Sequence, residues 1–150
     1  MFDEIIKSYR LVEMTEKCDS ILSSATVADF IRLAREKNVE VMPVTADDGK
    51  VVGIVSEKDL IKLIKVEGMA SNYPIMESRL PKEIIKEPIT SIMTPEPVTL
   101  RETDSLEAVM NLVLNHDFRR VIIVDSEGRL VGKIRIADLI HRLSVIKREA

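Results

Sequence analysis

Apolar positions along this chain recur with two periods, and the order of those periods is itself repeated. Val27, Phe30, Ile31 and Ala34 follow the i, i+3, i+4, i+7 spacing of a helix that buries one face, and Leu106, Val109, Met110 and Val113 follow it again. Behind each helix comes a short apolar run, Val41-Met42-Pro43-Val44 and Arg120–Val124. Turn-forming residues follow, Asp47-Asp48-Gly49 and Ser126-Glu127-Gly128, and then a second run, Val51–Val55 and Leu130–Ile134. Each pair of runs predicts a β-hairpin. A closing helix is predicted over Lys58–Val66 and over Ala137–Ile146, and a short strand ahead of each first helix, Ser20–Leu22 and Val98–Leu100. Asp104 with Glu107 reads as the N-cap and N3 pair of the second long helix. The order is β-α-β-β-α, twice.

The two halves match without a gap when the sequence is shifted by 79 residues, Glu4–Ile64 falling on Glu83–Leu143 with 13 identities in 61 pairs. About four would be expected from ordinary residue frequencies. Glu4-Ile5-Ile6-Lys7 falls on Glu83-Ile84-Ile85-Lys86, Met14-Thr15 on Met93-Thr94, Gly53 on Gly132, and Asp59-Leu60-Ile61 on Asp138-Leu139-Ile140. The chain is therefore an internal duplication of a mixed α/β (α+β) unit. The repeats divide it into residues 1–67, a connection over 68–82 that carries Asn72-Tyr73-Pro74 and Leu80-Pro81, and residues 83–150. Phe2, Ile5, Ile6, Tyr9 and Val12 predict a further amphipathic helix over residues 2–12, whose apolar face needs a partner in the neighbouring unit or a second chain.

Composition narrows the functional classes. Hydrophobic residues make up 45% and aromatics only 3%, so the core is aliphatic. Cys18 is the single cysteine, which excludes an internal disulfide and a multi-cysteine metal site and fits a reducing compartment. The N-terminus carries Asp3-Glu4 where a signal peptide needs basic residues, and no apolar run reaches a membrane span, so a cytoplasmic protein is expected. A net charge of −3 with both signs mixed argues against a general nucleic-acid or membrane surface. His116 and His141 are the only histidines, and no nucleophile, metal-ligand or glycine-rich phosphate-loop pattern accompanies them. No enzyme is expected, and no resident cofactor or metal.

Ser91-Ile92-Met93-Thr94 ahead of Pro97-Val98-Thr99-Leu100, the segment Arg119–Asp125, and above all Gly53-Ile54-Val55-Ser56-Glu57-Lys58-Asp59 resemble the tandem CBS-domain pair, the family named for the regulatory domain of cystathionine β-synthase. The last of these matches the family's Gly-apolar-x-Ser/Thr-x-x-Asp ligand motif. The resemblance covers nearly the whole chain. It implies two units in a pseudo-twofold arrangement with two clefts, most often occupied by AMP, ADP, ATP or S-adenosylmethionine, and association into a homodimer that acts on an effector protein.

The chemistry of that motif is plain. An ionised Asp accepts hydrogen bonds from both hydroxyls of a ribose diol, and a place in the first turn of a helix sets it beside free backbone N–H groups. Asp59 meets this need, with Ser56 as a further hydroxyl; a capping box between the two is the competing reading. In the second repeat Arg135 replaces the serine while Asp138 remains, a retention that ligand hydroxyls would explain. The resemblance implies a first cleft of Ser56, Asp59, Val98, Arg119 and Arg120; Ile54, Val55 and Ile134 are candidate walls for the base, with simple core as the favoured reading of each. Adjacent guanidiniums suit a di- or triphosphate; the competing reading is that Arg119 and Arg120 are ordinary surface charges or pair with Asp117 and Asp125. The second cleft would take Asp138, Arg135, Ile134, Asp19, Glu40 and Val41, where Glu40 opposes a phosphate. One competent cleft and one degraded or differently selective cleft are expected, and the alternatives are an interaction scaffold with empty clefts or an S-adenosylmethionine sensor.

Overall fold

The computed structural model describes residues 4, 7–65 and 82–149. In chain order the elements are α1 (Leu11–Met14), β1 (Ile21–Leu22), α2 (Val27–Lys37), β2 (Val41–Thr45), β3 (Val51–Ser56) and α3 (Glu57–Leu63). They continue with α4 (Lys82–Ile85), a 3-10 turn (Ile89–Ser91), β4 (Thr94–Pro95), β5 (Thr99–Arg101), α5 (Leu106–His116), β6 (Arg120–Val124), β7 (Leu130–Arg135) and α6 (Ile136–Glu149). Most of the expected connection lies outside the described residues, as do Phe2, Ile5 and Ile6 of the expected leading helix. The part of that helix that is described breaks at Tyr9-Arg10 before α1. No helix among the described residues is long and apolar enough to cross a membrane.

The sheets repeat one another. β1 lies parallel to β2, and β2 is antiparallel to β3; β5, β6 and β7 do the same. Both hairpins carry a register shift at matching places, Val44/Thr45 and Ile123/Val124. The long helices end alike, on Asn38 and Asp117 in the left-handed region at φ 52° and 54°. Asn and Asp tolerate that conformation better than other side chains, which is why the helices stop there. Thr26 caps α2 in a full box with Asp29, whereas Ser105 caps α5 by accepting from the Ala108 amide at 3.1 Å. The expected cap at Asp104 is thus one residue early. Asp104 instead accepts from the Arg101 amide at 2.7 Å, closing the turn that leads into the helix.

The compact units do not follow the repeats. The chain from Asp19 to Pro97 forms one, while the segment ending at Cys18 joins Val98 onward in the other. In the first-repeat unit Ile89 of the 3-10 turn is buried with Ile21, Phe30, Met42, Val44 and Val55. In the second-repeat unit Leu11 and Met14 are buried with Leu106, Val109, Val121, Ile123, Ile134 and Leu139. Each repeat's leading segment therefore completes the core of the other repeat, and the compact units are bounded at 18/19 and 97/98. An apolar face that could not be covered within its own repeat is covered this way.

The leading segments also pair with the hairpins at their glycines. β4 runs antiparallel to β3 with Gly53 opposite Pro95, and Glu16 exchanges backbone hydrogen bonds with Lys133, 2.9 Å each way. Pro95 stands where Glu16 stands, 79 residues on, and has no N–H. The donor in that repeat is accordingly Glu96, to the Val52 carbonyl at 3.3 Å. A Cβ on Gly132 would overlap the Glu16 carbonyl oxygen and sit 2.8 Å from Thr15 Cγ2; one on Gly53 would overlap the Met93 sulfur and sit 3.0 Å from the Thr94 carbonyl oxygen. Both glycines are there for close approach of the paired segment, not for a turn.

Candidate functional site

The motif residues stand where the hairpins run into the closing helices. β3 ends at Ser56, which is extended (φ −132°, ψ 163°) and opens α3. Asp59 Oδ2 accepts from the Ser56 amide at 2.8 Å and its hydroxyl at 3.0 Å, and Ser56 Oγ accepts from the Asp59 amide at 3.3 Å. That is a complete capping box. On the Asp59 carboxylate only Oδ2 takes part in it. Beside it, Val41 is the register partner of Ser56, and the Glu40 carbonyl accepts from the Glu57 amide at 3.0 Å, tying the entrance of β2 to the start of α3. The Glu40 and Asp19 side chains are exposed.

The matching place in the second repeat is built from charge. Arg135 Nε lies 3.1 Å from Asp138 Oδ2 and 3.3 Å from Glu16 Oε1, and its Nη2 lies 3.4 Å from Asp138 Oδ1. The Arg135 hydrogen bond, with the guanidinium's charge behind it, holds the Asp138 carboxyl below the usual carboxylate range. The same contacts raise Arg135. Retention of Asp138 without a serine cap thus has a local cause, the ion pair with Arg135, which occupies both carboxylate oxygens. The ligand-hydroxyl explanation for that retention is not needed.

Arg120 is the register partner of Arg135, so two guanidiniums stand directly opposite one another on one face, an arrangement that is unfavourable without counter-charge. Neither Arg119 nor Arg120 makes an ion pair among the described residues. Asp125 is taken up by the turn amides of Glu127 and Arg129, 2.9 Å each, and is held low by them, while Asp117 occupies the helix C-cap. The pairing of these arginines with Asp117 and Asp125 does not form. Val98, just ahead of β5, is 48% exposed.

Strand alternation separates core from candidate wall among Ile54, Val55 and Ile134. Val55 and Ile134 are both 0% exposed and lie in the two cores. Ile54 is half-buried on the opposite face of β3 from Val55, because consecutive strand residues point to opposite sides. The same alternation brings up a residue that sequence reasoning missed. Lys133, at the position of Ile54, shares a face with Arg120 and Arg135, and is near enough to Asp138 to help hold its carboxyl low. Glu16 was missed as well. The signal for Lys133 was available: the 79-residue shift sets it on a residue already singled out. Nothing in the sequence places Glu16 beside Arg135, because that contact depends on the exchanged leading segment. Among the described residues no group of three or more His, Cys, Asp or Glu is placed to hold a metal ion.

The chain thus carries two β-α-β-β-α units, the first with a Gly-x-x-Ser-x-x-Asp turn into its closing helix. The CBS-domain model matches residues 6–66 and 89–145, so the chain belongs to the CBS-domain family, with two copies. Among curated proteins it is 33% identical over 139 residues to the chloroplastic CBS domain-containing protein CBSX2 of Arabidopsis thaliana, covering 84% of this chain and 58% of that protein. The chain thus spans less than two thirds of that relative. Among solved structures it is similar to CBSX2 in complex with AMP, with a TM-score of 0.73 and 26% identity over 93% of this chain and 99% of that one. CbpB in complex with c-di-AMP shares the fold, with a TM-score of 0.80 at 14% identity over 99% of this chain and 92% of that one.

Proposed function

We propose that this CBS pair is a non-catalytic regulatory module that binds an adenine nucleotide, AMP, ADP or ATP, and signals by a change of conformation. The observation that carries the reading is Asp59: its cap uses Oδ2 alone, so Oδ1 can accept from a ribose hydroxyl while the helix start stays intact. The AMP complex of CBSX2, 26% identical to this chain, supports an adenine ligand. In this reading Ser56 and Asp59 meet the ribose and Ile54 the base. The module acts in the cytoplasm as a homodimer on a separate effector protein.

A second reading, a dimerisation scaffold without ligand, is favoured by one observation: Asp59 and Asp138 both have internal partners already. Thermal denaturation against AMP, ADP, ATP, S-adenosylmethionine and c-di-AMP separates the two. A ligand at a hundredfold its Kd stabilises by about 2.7 kcal/mol. The sensor reading expects such a shift for at least one adenine nucleotide, weakened in Asp59→Asn. No shift with any of the five leaves the scaffold.

A further inference from the structure

The face of the second-repeat hairpin turned away from its core carries Arg120, Lys133 and Arg135, with Arg120 opposite Arg135 and Lys133 two residues before it. The same places on the first-repeat hairpin hold Val41, Ile54 and Ser56. So three cations stand on one face where its duplicate has none. The carboxylates in contact with them are Asp138, from the same turn, and Glu16, which arrives on the exchanged leading segment. Asp138 meets Arg135 through both its oxygens, whereas Glu16 meets it through one contact, from a separate piece of chain anchored by the Glu16–Lys133 backbone pair, by Arg142 Nη2 on the Glu13 carbonyl at 3.0 Å, and by the burial of Leu11 and Met14.

We propose that this face binds an oligophosphate chain, as carried by a nucleoside triphosphate, and that Glu16 is a built-in competitor that holds Arg135 until the phosphates displace it. The proposal rests on the nucleotide reading for the identity of the ligand and adds its charge and its output. Arg135 and Glu16 are both about half exposed, at 50% and 45%, and ion pairs at that exposure are weak. A phosphate chain, with more charge and directed acceptors for guanidinium N–H groups, outcompetes a single carboxylate. Freed from Arg135, the leading segment keeps its backbone pair but loses a side-chain clasp. Occupancy of the face is thereby transmitted to a segment contributed by the other repeat.

The test combines binding with amide exchange on the full chain, using inorganic tripolyphosphate, ATP and adenosine as probes. Tripolyphosphate and ATP are expected to bind and to speed exchange at the Glu16 and Lys133 amides, leaving Glu96 unchanged, while adenosine leaves all three unchanged. Glu16→Gln should tighten tripolyphosphate about two- to fivefold, the scale of one exposed ion pair. Arg135→Ser, which installs the first repeat's residue, should weaken it about tenfold or more and erase the effect of Glu16→Gln. Lys133→Ile serves as a second variant, expected to lose affinity without touching the Glu16 contact. Binding of ATP with no binding of tripolyphosphate and no change at Glu16 overturns the inference and leaves the nucleotide reading standing. Binding of tripolyphosphate with ATP no tighter supports this site and removes the adenine from the reading. Equal affinity in Glu16→Gln overturns the competitor role.

Discussion

At the end of the first-repeat hairpin Val41, Ile54 and Ser56 share one face, and on the second-repeat hairpin Arg120, Lys133 and Arg135 take those places. Around this substitution almost nothing of the backbone differs: the same strand register, the same bulge positions, the same left-handed helix ends at Asn38 and Asp117. The start of the closing helix is secured in both, by a capping box in one and by an ion pair in the other. Duplication has kept the positions with a backbone requirement and released those that face outward from the core. The comparison also separates two roles of the Asp that both repeats carry. Asp59 satisfies the amide and hydroxyl of the cap residue Ser56, part of securing a helix start. Asp138 satisfies an arginine, which only this repeat has. Identical residues at matched positions therefore do not certify identical work.

The largest expected effect tests the exchange of leading segments. Leu11 is 0% exposed inside the second repeat's core, so Leu11→Ala should cost about 2–5 kcal/mol in chemical denaturation. Its NMR signature should fall on Val121, Ile123 and Ile134, and spare Phe30 and Val44. Perturbation of the first repeat instead would return Leu11 to its own half. The next effect compares the two glycines. Gly132 faces the backbone of Glu16, which cannot give without breaking the pair with Lys133; Gly53 faces chiefly the flexible Met93 side chain. Gly132→Ala is expected to cost about 1–3 kcal/mol, with Gly53→Ala at the bottom of that range. Equal losses would mean that the Thr94 carbonyl, not Met93, sets the limit at Gly53.

How far the sequence revealed this follows from the range of each interaction. Helix and strand periods, the hairpin turns and the 79-residue repeat are local or self-comparing signals, and they yielded the β-α-β-β-α order. The cap of α5 was misplaced by one residue because Asp104 and Ser105 are both good caps, and only geometry shows that the first closes a turn and the second the helix. Val55 was set beside Ile54 although strand alternation forbids a shared face. The exchange of leading segments was not legible for a different reason. Which core Leu11 and Ile89 enter is a long-range choice between two nearly identical acceptors, and periodicity carries no information about it. Glu16 as a partner of Arg135 was hidden by that same choice.

The smallest effect tests the contrast between cap and ion pair through pH. Asp138 is held below an ordinary carboxyl by the Arg135 hydrogen bond first, and by the charge of Arg135, His141 and Lys133. A carboxyl whose folded pKa lies below its unfolded one binds fewer protons when folded. Its contribution to stability is therefore complete above the unfolded value, about 3.9, and is lost as pH falls through the lowered folded value. An NMR titration of the Asp138 carboxyl carbon should place its midpoint below that of an unstructured Asp, and Arg135→Ser should bring it back up. With the guanidinium gone, the serine introduced in that variant is free to cap as Ser56 does, so the second closing helix should keep its start at neutral pH while losing the ion pair. The decisive measurement is the Asp138 amide in that variant: protection equal to that of the Asp59 amide means that one substitution converts the second repeat's helix start into the first's. A frayed first turn would mean instead that the ion pair, together with Glu16, had become part of how this repeat holds its closing helix.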